Sequence, residues 1–325
     1  IVGEIKVAGA GHFDFAYNPR RAKQKAQIHK TIATYINAFV ERYILSKEEA
    51  EKHLSVPSRF VTLLYPPPEA KYEVETKIAL PYGKHPLQKV DIYLPKGAKG
   101  FPCVLVIHGG AWVGGKRGMF GMFCKALARR GIGAATCDYR LAPEFVYPAF
   151  MEDVAAALVL VRKEFAEAGG DIRRLFVTGH SAGGHISALL ATNAKFLKKY
   201  GLTPKDIAGV APVSGVYRII KNPFKAFGDD PRIWRDASPI DHISKDLPPF
   251  LIIYGEKEML PALTAIRFEK ALRDKGVAVN GFMMLGHRHA DTARNMNRAD
   301  SEVFLRLITF FRKHRADKVT PPDVE

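Results

Sequence analysis

The stretch RLFVTGHSAGGHISALLA, residues 174–191, passes from a β-branched and aromatic run through three glycines and a serine into an Ala- and Leu-rich run. Residues 175–178 read as a buried strand and the residues from Ala182 onward as a helix, so Gly179-His180-Ser181-Ala182-Gly183-Gly184 must turn the chain between them. Gly179 and Gly183 leave room for that tight turn, which lifts the Ser181 hydroxyl out of the sheet above a helix N-terminus. A G-x-S-x-G pentapeptide alone is weak, because small residues occupy tight turns for steric reasons. With a strand before it and a helix after it, the motif reads as a nucleophile elbow.

Outward from the elbow, apolar runs alternate with helical patterns. Strands are expected at residues 103–107, 133–137, 175–178, 207–213, 250–254 and 281–285, with helices ending near Arg130, running from Asp153 to Ala166, starting at Ala182, and spanning about Ser301 to His314. Before them, YEVETKIAL (72–80) and KVDIYLP (89–95) form an antiparallel pair around the turn at Pro81 to Pro86. Such alternation predicts an α/β fold with a mainly parallel central sheet and helices on both faces. Residues 216–248 break the rhythm with Phe224, Phe227, Trp234 and several prolines, and form a candidate cap insertion and pocket wall.

A serine hydroxyl is a poor nucleophile, so acyl transfer also requires a base for its proton and donors for the oxyanion. His108-Gly109-Gly110-Ala111-Trp112 follows the strand CVLVI, and the amides of Gly109 and Gly110 with that of Ala182 are the expected oxyanion donors. Leu285-Gly286-His287-Arg288-His289 follows the last strand. His289, three residues past the glycine, is favoured as base over its competitor His287. Likewise Gly255-Glu256-Lys257-Glu258 follows FLIIY, with Glu258 favoured as the orienting acid and Glu256 as the alternative. The H-x-H pair lacks a third ligand, so no metal site is expected.

In PYGKHPLQKVDIYLP, HGGAW, DYRLAPE with a later YPA, GHSAGGH and LGHRHAD, the chain resembles the α/β-hydrolase superfamily over about residues 72–314, and within it the hormone-sensitive-lipase-like carboxylesterases and the kynurenine formamidase-like esterases. The resemblance implies an α/β-hydrolase fold, Ser181 as nucleophile, Glu258 as acid, His289 as base, Gly109, Gly110 and Ala182 around the oxyanion, and no cofactor. Ala111 stands where the lipase-like group usually has a third glycine, which points to the formamidase-like branch, whereas DYRLAPE points to the lipase-like one. Trp112, Tyr217 and Met259 are candidate substrate-binding residues, and Phe120, Phe224 and Trp234 further pocket walls. A serine carboxylesterase is the expected activity; an arylformamidase-type amide hydrolase is the alternative within enzymes, and a catalytically silent binding protein the alternative of another class.

Composition bounds these readings. In 325 residues, 47% hydrophobic and 25% charged, there is ample material for one large core. The expected division is an N-terminal helical cap segment over 1–70 and a catalytic domain over 71–325. The basic residues of 19–30 lead into the apolar stripe Ile28, Ile32, Tyr35, Ile36, Phe39, Val40 and Tyr43, and Ser46 with Glu49 opens a second helix. No apolar run is long enough to span a bilayer, so a soluble protein is expected, cytoplasmic or secreted after removal of a leader. Cys103, Cys124 and Cys137 sit in apolar patterns and are expected to be buried free thiols. A formal charge of +16 favours anionic substrates or anionic polymer-bound esters. No nucleic-acid recognition motif accompanies that charge, and the oligomeric state is left open.

Overall fold

The computed structural model describes residues 69–220 and 224–314, without the side chains of 259–261. The helical segment expected over 1–70 therefore lies almost wholly outside the described residues, as does the side chain of Met259. The elements begin with β1 (Val74–Pro81), β2 (Lys89–Pro95), β3 (Phe101–Ile107), α1 (Gly121–Ala128), β4 (Gly133–Cys137), α2 (Ala149–Glu167), β5 (Gly170–His180) and α3 (Ala182–Thr192). They continue with α4 (Lys195–Lys198), β6 (Gly209–Val213), α5 (Pro231–Asp236), β7 (Phe250–Gly255), α6 (Met259–Asp274), β8 (Val279–Met284), α7 (His289–Met296) and α8 (Glu302–Lys313).

Eight strands form one sheet in the order β1-β2-β4-β3-β5-β6-β7-β8. β2 runs antiparallel to both β1 and β4, and every pairing from β4 through β8 is parallel. The central strands are apolar on both faces because both faces are covered. Along β3, Cys103, Leu105 and Ile107 point into one core with Phe150, Leu158 and Phe165 of α2, Ile186 and Leu190 of α3, and Phe268 of α6. Val104 and Val106 point into the other, with Phe123 and Leu127 of α1 and Phe304, Leu307 and Phe311 of α8. All three cysteines are buried and free. Burial pushes each thiol well above its usual range, which leaves them as packing groups.

Register decides what the sheet presents. Ile107 pairs with Gly179, His180 with Val213, and Gly255 with Met284, so the C-terminal ends of β3, β5, β6, β7 and β8 open on one edge. Five loops converge there, carrying the segments expected to do chemistry. One feature differs from expectation. β5 starts at Gly170, well before Leu175, because its polar half pairs with β3 at Phe101 across a register shift without burying an apolar face. Residues 216–248 hold the short helix α5 and a 3-10 turn at Pro239–His242.

Candidate active site

Ser181 stands between β5 and α3 with φ 58° and ψ −118°, a conformation that costs a non-glycine residue of the order of 1–3 kcal/mol. What enforces it is the closeness of the neighbouring chains. A Cβ on Gly183 would lie 2.1 Å from the Ile107 carbonyl oxygen, and one on Gly109 would lie 2.7 Å from the His180 carbonyl and 3.1 Å from Ser181 Cβ. The Gly109 loop is thereby pressed against the elbow. Ala182 opens α3, where the first-turn amides have no acceptor within the helix.

The loop after β3 is wound left-handed over three successive residues, Gly110 (φ 126°), Ala111 (φ 53°) and Trp112 (φ 62°). Val113 and Gly114 donate backbone N–H bonds to the Gly110 carbonyl, closing the turn. His108 donates from Nδ1 to the Gly109 carbonyl at 2.8 Å, its ring stacks on Tyr139 at 4.2 Å, and the Tyr139 hydroxyl donates to the His108 carbonyl at 3.0 Å. Thus Tyr139, in the DYRLAPE segment, braces the loop. Its neighbours serve the same scaffold: Asp138 and Asp91 bind Arg117, and Arg140 forms a forked pair with buried Asp153.

His289 is the first residue of α7. The Ser181 hydroxyl donates to His289 Nε2 at 2.8 Å, and His289 Nδ1–H donates to Glu258 Oε2 at 3.0 Å. The imidazole is nearly half exposed at the cleft, whereas the carboxylate is buried behind it. Burial alone would raise Glu258, but hydrogen bonds from His289, from the Ser214 hydroxyl (2.6 Å) and from the Gly255 amide (2.9 Å) outweigh it and hold the carboxyl below its usual range. His287 turns away to the Leu285 carbonyl and Asn295, and Glu256 accepts from the Gly286 amide. The structure therefore brings together Ser181, Glu258 and His289 with the Gly109 loop, and leaves His287 and Glu256 outside that contact.

Trp112 and Tyr217, expected to line the substrate pocket, are 7% and 1% exposed and pack as core. Trp112 donates from Nε1 to His185 Nδ1 at 3.2 Å, and His185 Nε2–H donates to the Ala237 carbonyl at 2.8 Å, which ties the loop after β3 through α3 to residues 216–248. Phe227 packs edge-on against Trp112 at 4.8 Å. Tyr217 stacks on Phe268 at 4.4 Å. Phe120 is buried in the opposite core layer, and Trp234, partly buried, donates to the Gly228 carbonyl. Among the described residues, the apolar side chains that face solvent on the connections after β3, β6 and β8 are Val113, Met119, Leu285, Ile220 and Phe224. Sequence reasoning reached only the last; a lone valine and leucine beside glycines carry no signal of their own.

Comparison with known proteins follows this geometry. The structure superposes on esterase B from Lactobacillus Rhamnosis (HN001) with a TM-score of 0.66 at 21% identity, over 90% of this chain and 96% of that one. The chain has the α/β-hydrolase fold. A protein-family profile described as BD-FAE matches residues 90–220 of the chain. The chain is 30% identical over 249 residues to the esterase LipQ of Mycobacterium tuberculosis (strain ATCC 25618 / H37Rv), covering 69% of the chain and 59% of LipQ. It is 28% identical over 147 residues to the kynurenine formamidase of Salmo salar, covering 45% of the chain and 48% of that enzyme. The chain spans less than two thirds of the length of these curated relatives.

Proposed function

We propose that this α/β-hydrolase cleaves carboxylic esters through an acyl-enzyme on Ser181. The observation that carries the reading is the continuous relay from Ser181 Oγ to His289 Nε2 and from His289 Nδ1 to Glu258, at 2.8 and 3.0 Å. As Ser181 Oγ attacks the ester carbonyl carbon, its proton passes to His289 Nε2. The carbonyl oxygen becomes an oxyanion that accepts from the amides of Gly109, Gly110 and Ala182. Glu258 stays ionised and stabilises the imidazolium without taking its proton. His289 then protonates the leaving alkoxide, the acyl group remains on Ser181, and water deprotonated by His289 releases the carboxylic acid and restores the serine.

An alkoxide leaves with tolerable basicity, whereas an amine must be protonated as it departs, so an amidase needs its imidazolium aligned on a second atom. The name of the esterase relative favours ester substrates. The amidase reading draws on the formamidase relative. Turnover of a nitrophenyl ester chain-length series beside matched N-formyl aromatic amides separates the two. Ester turnover well above amide turnover is expected, and faster amide cleavage would overturn the assignment.

A further inference from the structure

Behind the triad lies a run of buried polar groups that the proposed chemistry does not use. His180, next to the nucleophile on the elbow, approaches with Nε2 both the His289 carbonyl (3.0 Å) and Thr292 Oγ1 (3.1 Å). Thr292, one turn along α7 from His289, stands 2.8 Å from Ser214 Oγ, which donates to Glu258 Oε1 at 2.6 Å. Thr292 and Ser214 are wholly buried, and Ser214 is held at φ 51° at the end of β6. Three separate segments of the fold therefore meet in one file of donors.

We infer that His180, Thr292 and Ser214 form a one-way chain of hydrogen-bond donors ending on the Glu258 carboxylate, and that Thr292 and Ser214 are positioning residues aligning Glu258 with His289. This rests on the reading of Ser181, His289 and Glu258 as the hydrolytic triad.

Counting hydrogens fixes the direction. The carboxylate can only accept, so the single hydrogen of Ser214 is committed to Glu258 Oε1. At the 2.8 Å Ser214–Thr292 contact the hydrogen must then come from Thr292. Thr292 Oγ1 also donates to the His289 carbonyl at 2.8 Å, so its one hydrogen is shared between that carbonyl and Ser214 Oγ, while His180 Nε2–H reaches both the carbonyl and Thr292 Oγ1. His180 meets this requirement as a neutral ring, since burial and then the nearby His289 depress it to about 4. Each donor polarises the next, and chains aimed at a charge are stronger than their isolated links. The chain also grips the backbone of His289 at one end and the acid at the other, so it fixes the relative placement of the groups whose contact is 3.0 Å.

A merely structural reading is available: a threonine in the first turn of a helix returning its hydroxyl to a carbonyl three residues back. The two readings part in the pH profile. Glu258 is faced by His289, Ser214, the Gly255 amide and the Tyr217 ring, and His180 by His289 and Glu258. Losing a donor disfavours the unprotonated Glu258–His289 pair, so the pair takes up a proton more readily and the acid limb of kcat/KM moves to higher pH.

The test compares wild type with Thr292→Val, Thr292→Ser and Ser214→Ala on one nitrophenyl ester, with fluorophosphonate labelling rates and melting temperatures in parallel. Losing a hydrogen bond directed at a charged group corresponds to about a ten- to hundredfold fall in kcat, with KM little changed. That fall, with the acid limb moved upward, is expected for Ser214→Ala, and a smaller fall in the same direction for Thr292→Val, whose hydroxyl meets Ser214 rather than the charge; Thr292→Ser should restore wild-type values. Lowered stability with unchanged kcat and an unmoved acid limb in both hydroxyl-free variants would overturn the chain while leaving the triad reading intact. A wild type that neither labels nor hydrolyses esters would overturn the triad reading and the chain with it.

Discussion

Ser181 pays for its exposure in backbone strain, so its hydroxyl is presented to the cleft and contributes little to packing. Ser181→Ala should therefore abolish fluorophosphonate labelling and leave the melting temperature close to wild type, where wild type labels once. Stoichiometric labelling of the variant would remove Ser181 from the chemistry. Loss of the general base costs about 10²–10⁴-fold or more in turnover, which is the expectation for His289→Ala. His287→Ala should cost far less, because that ring is bonded to the Leu285 carbonyl and Asn295. Glu258→Gln should likewise hurt more than Glu256→Gln; the reverse ranking in either pair would move the base or the acid to the neighbouring residue.

At the scale of elements, α8 shows how a sequence pattern becomes a packed wall. Val303, Phe304, Leu307, Ile308 and Phe311 fall on one face and are buried, while Ser301 caps the N-terminus by accepting from the Phe304 amide at 3.1 Å. Leu307→Ala should destabilise by about 2–5 kcal/mol, the cost of a cavity in a core that cannot fully collapse, and Ser301→Ala by about 1 kcal/mol. Denaturant unfolding measures both, and a Leu307→Ala loss below that of the cap variant would contradict the packing described. The Trp112–His185–Ala237 strut belongs to the same scale. It couples the loop after β3 to residues 216–248 through hydrogen bonds that neither Phe at 112 nor Phe at 185 could make.

Over the whole molecule, charge and buried histidines govern the response to solution conditions. His180 and His185 are buried and depressed to about 4, and burial lowers His108 as well. The unfolded chain binds protons on these rings near pH 6.5 while the folded one does not, so stability should fall as pH drops from about 6.5 to about 4, by roughly 3 kcal/mol for each of the first two. Glu258, held below its usual range, adds to the loss at the acid end. Thermal melts across that window check the slope; a pH-independent midpoint would show that these rings are not neutral by burial. With +16 overall, anionic esters should be preferred to cationic ones, and the preference should shrink as salt screens the field over the ~10 Å Debye length at 0.1 M. Selectivity that ignores ionic strength would remove the charge argument alone.

What residues 174–191 could determine unaided was local: a strand, a helix and a turn so tight that only glycines fit beside the serine. Alternating apolar runs were enough for a parallel sheet with two covered faces, because burial on both sides demands that composition. The spacing of His289 and Glu258 from their strand-end glycines was legible for the same reason, since chain geometry limits how far a loop carries a side chain. Ser214, Thr292 and His180 were not legible. Their partners are 44, 78 and 112 residues away, and a serine or threonine beside an apolar run has the same local pattern whether it meets a carboxylate or water. Trp112 and Tyr217 were open to either fate for a similar reason: an aromatic near a motif is equally suited to a pocket or a core. Only the register of β5, β6 and β7 decided these cases, because it sets which loops converge and hence which polar groups leave water together.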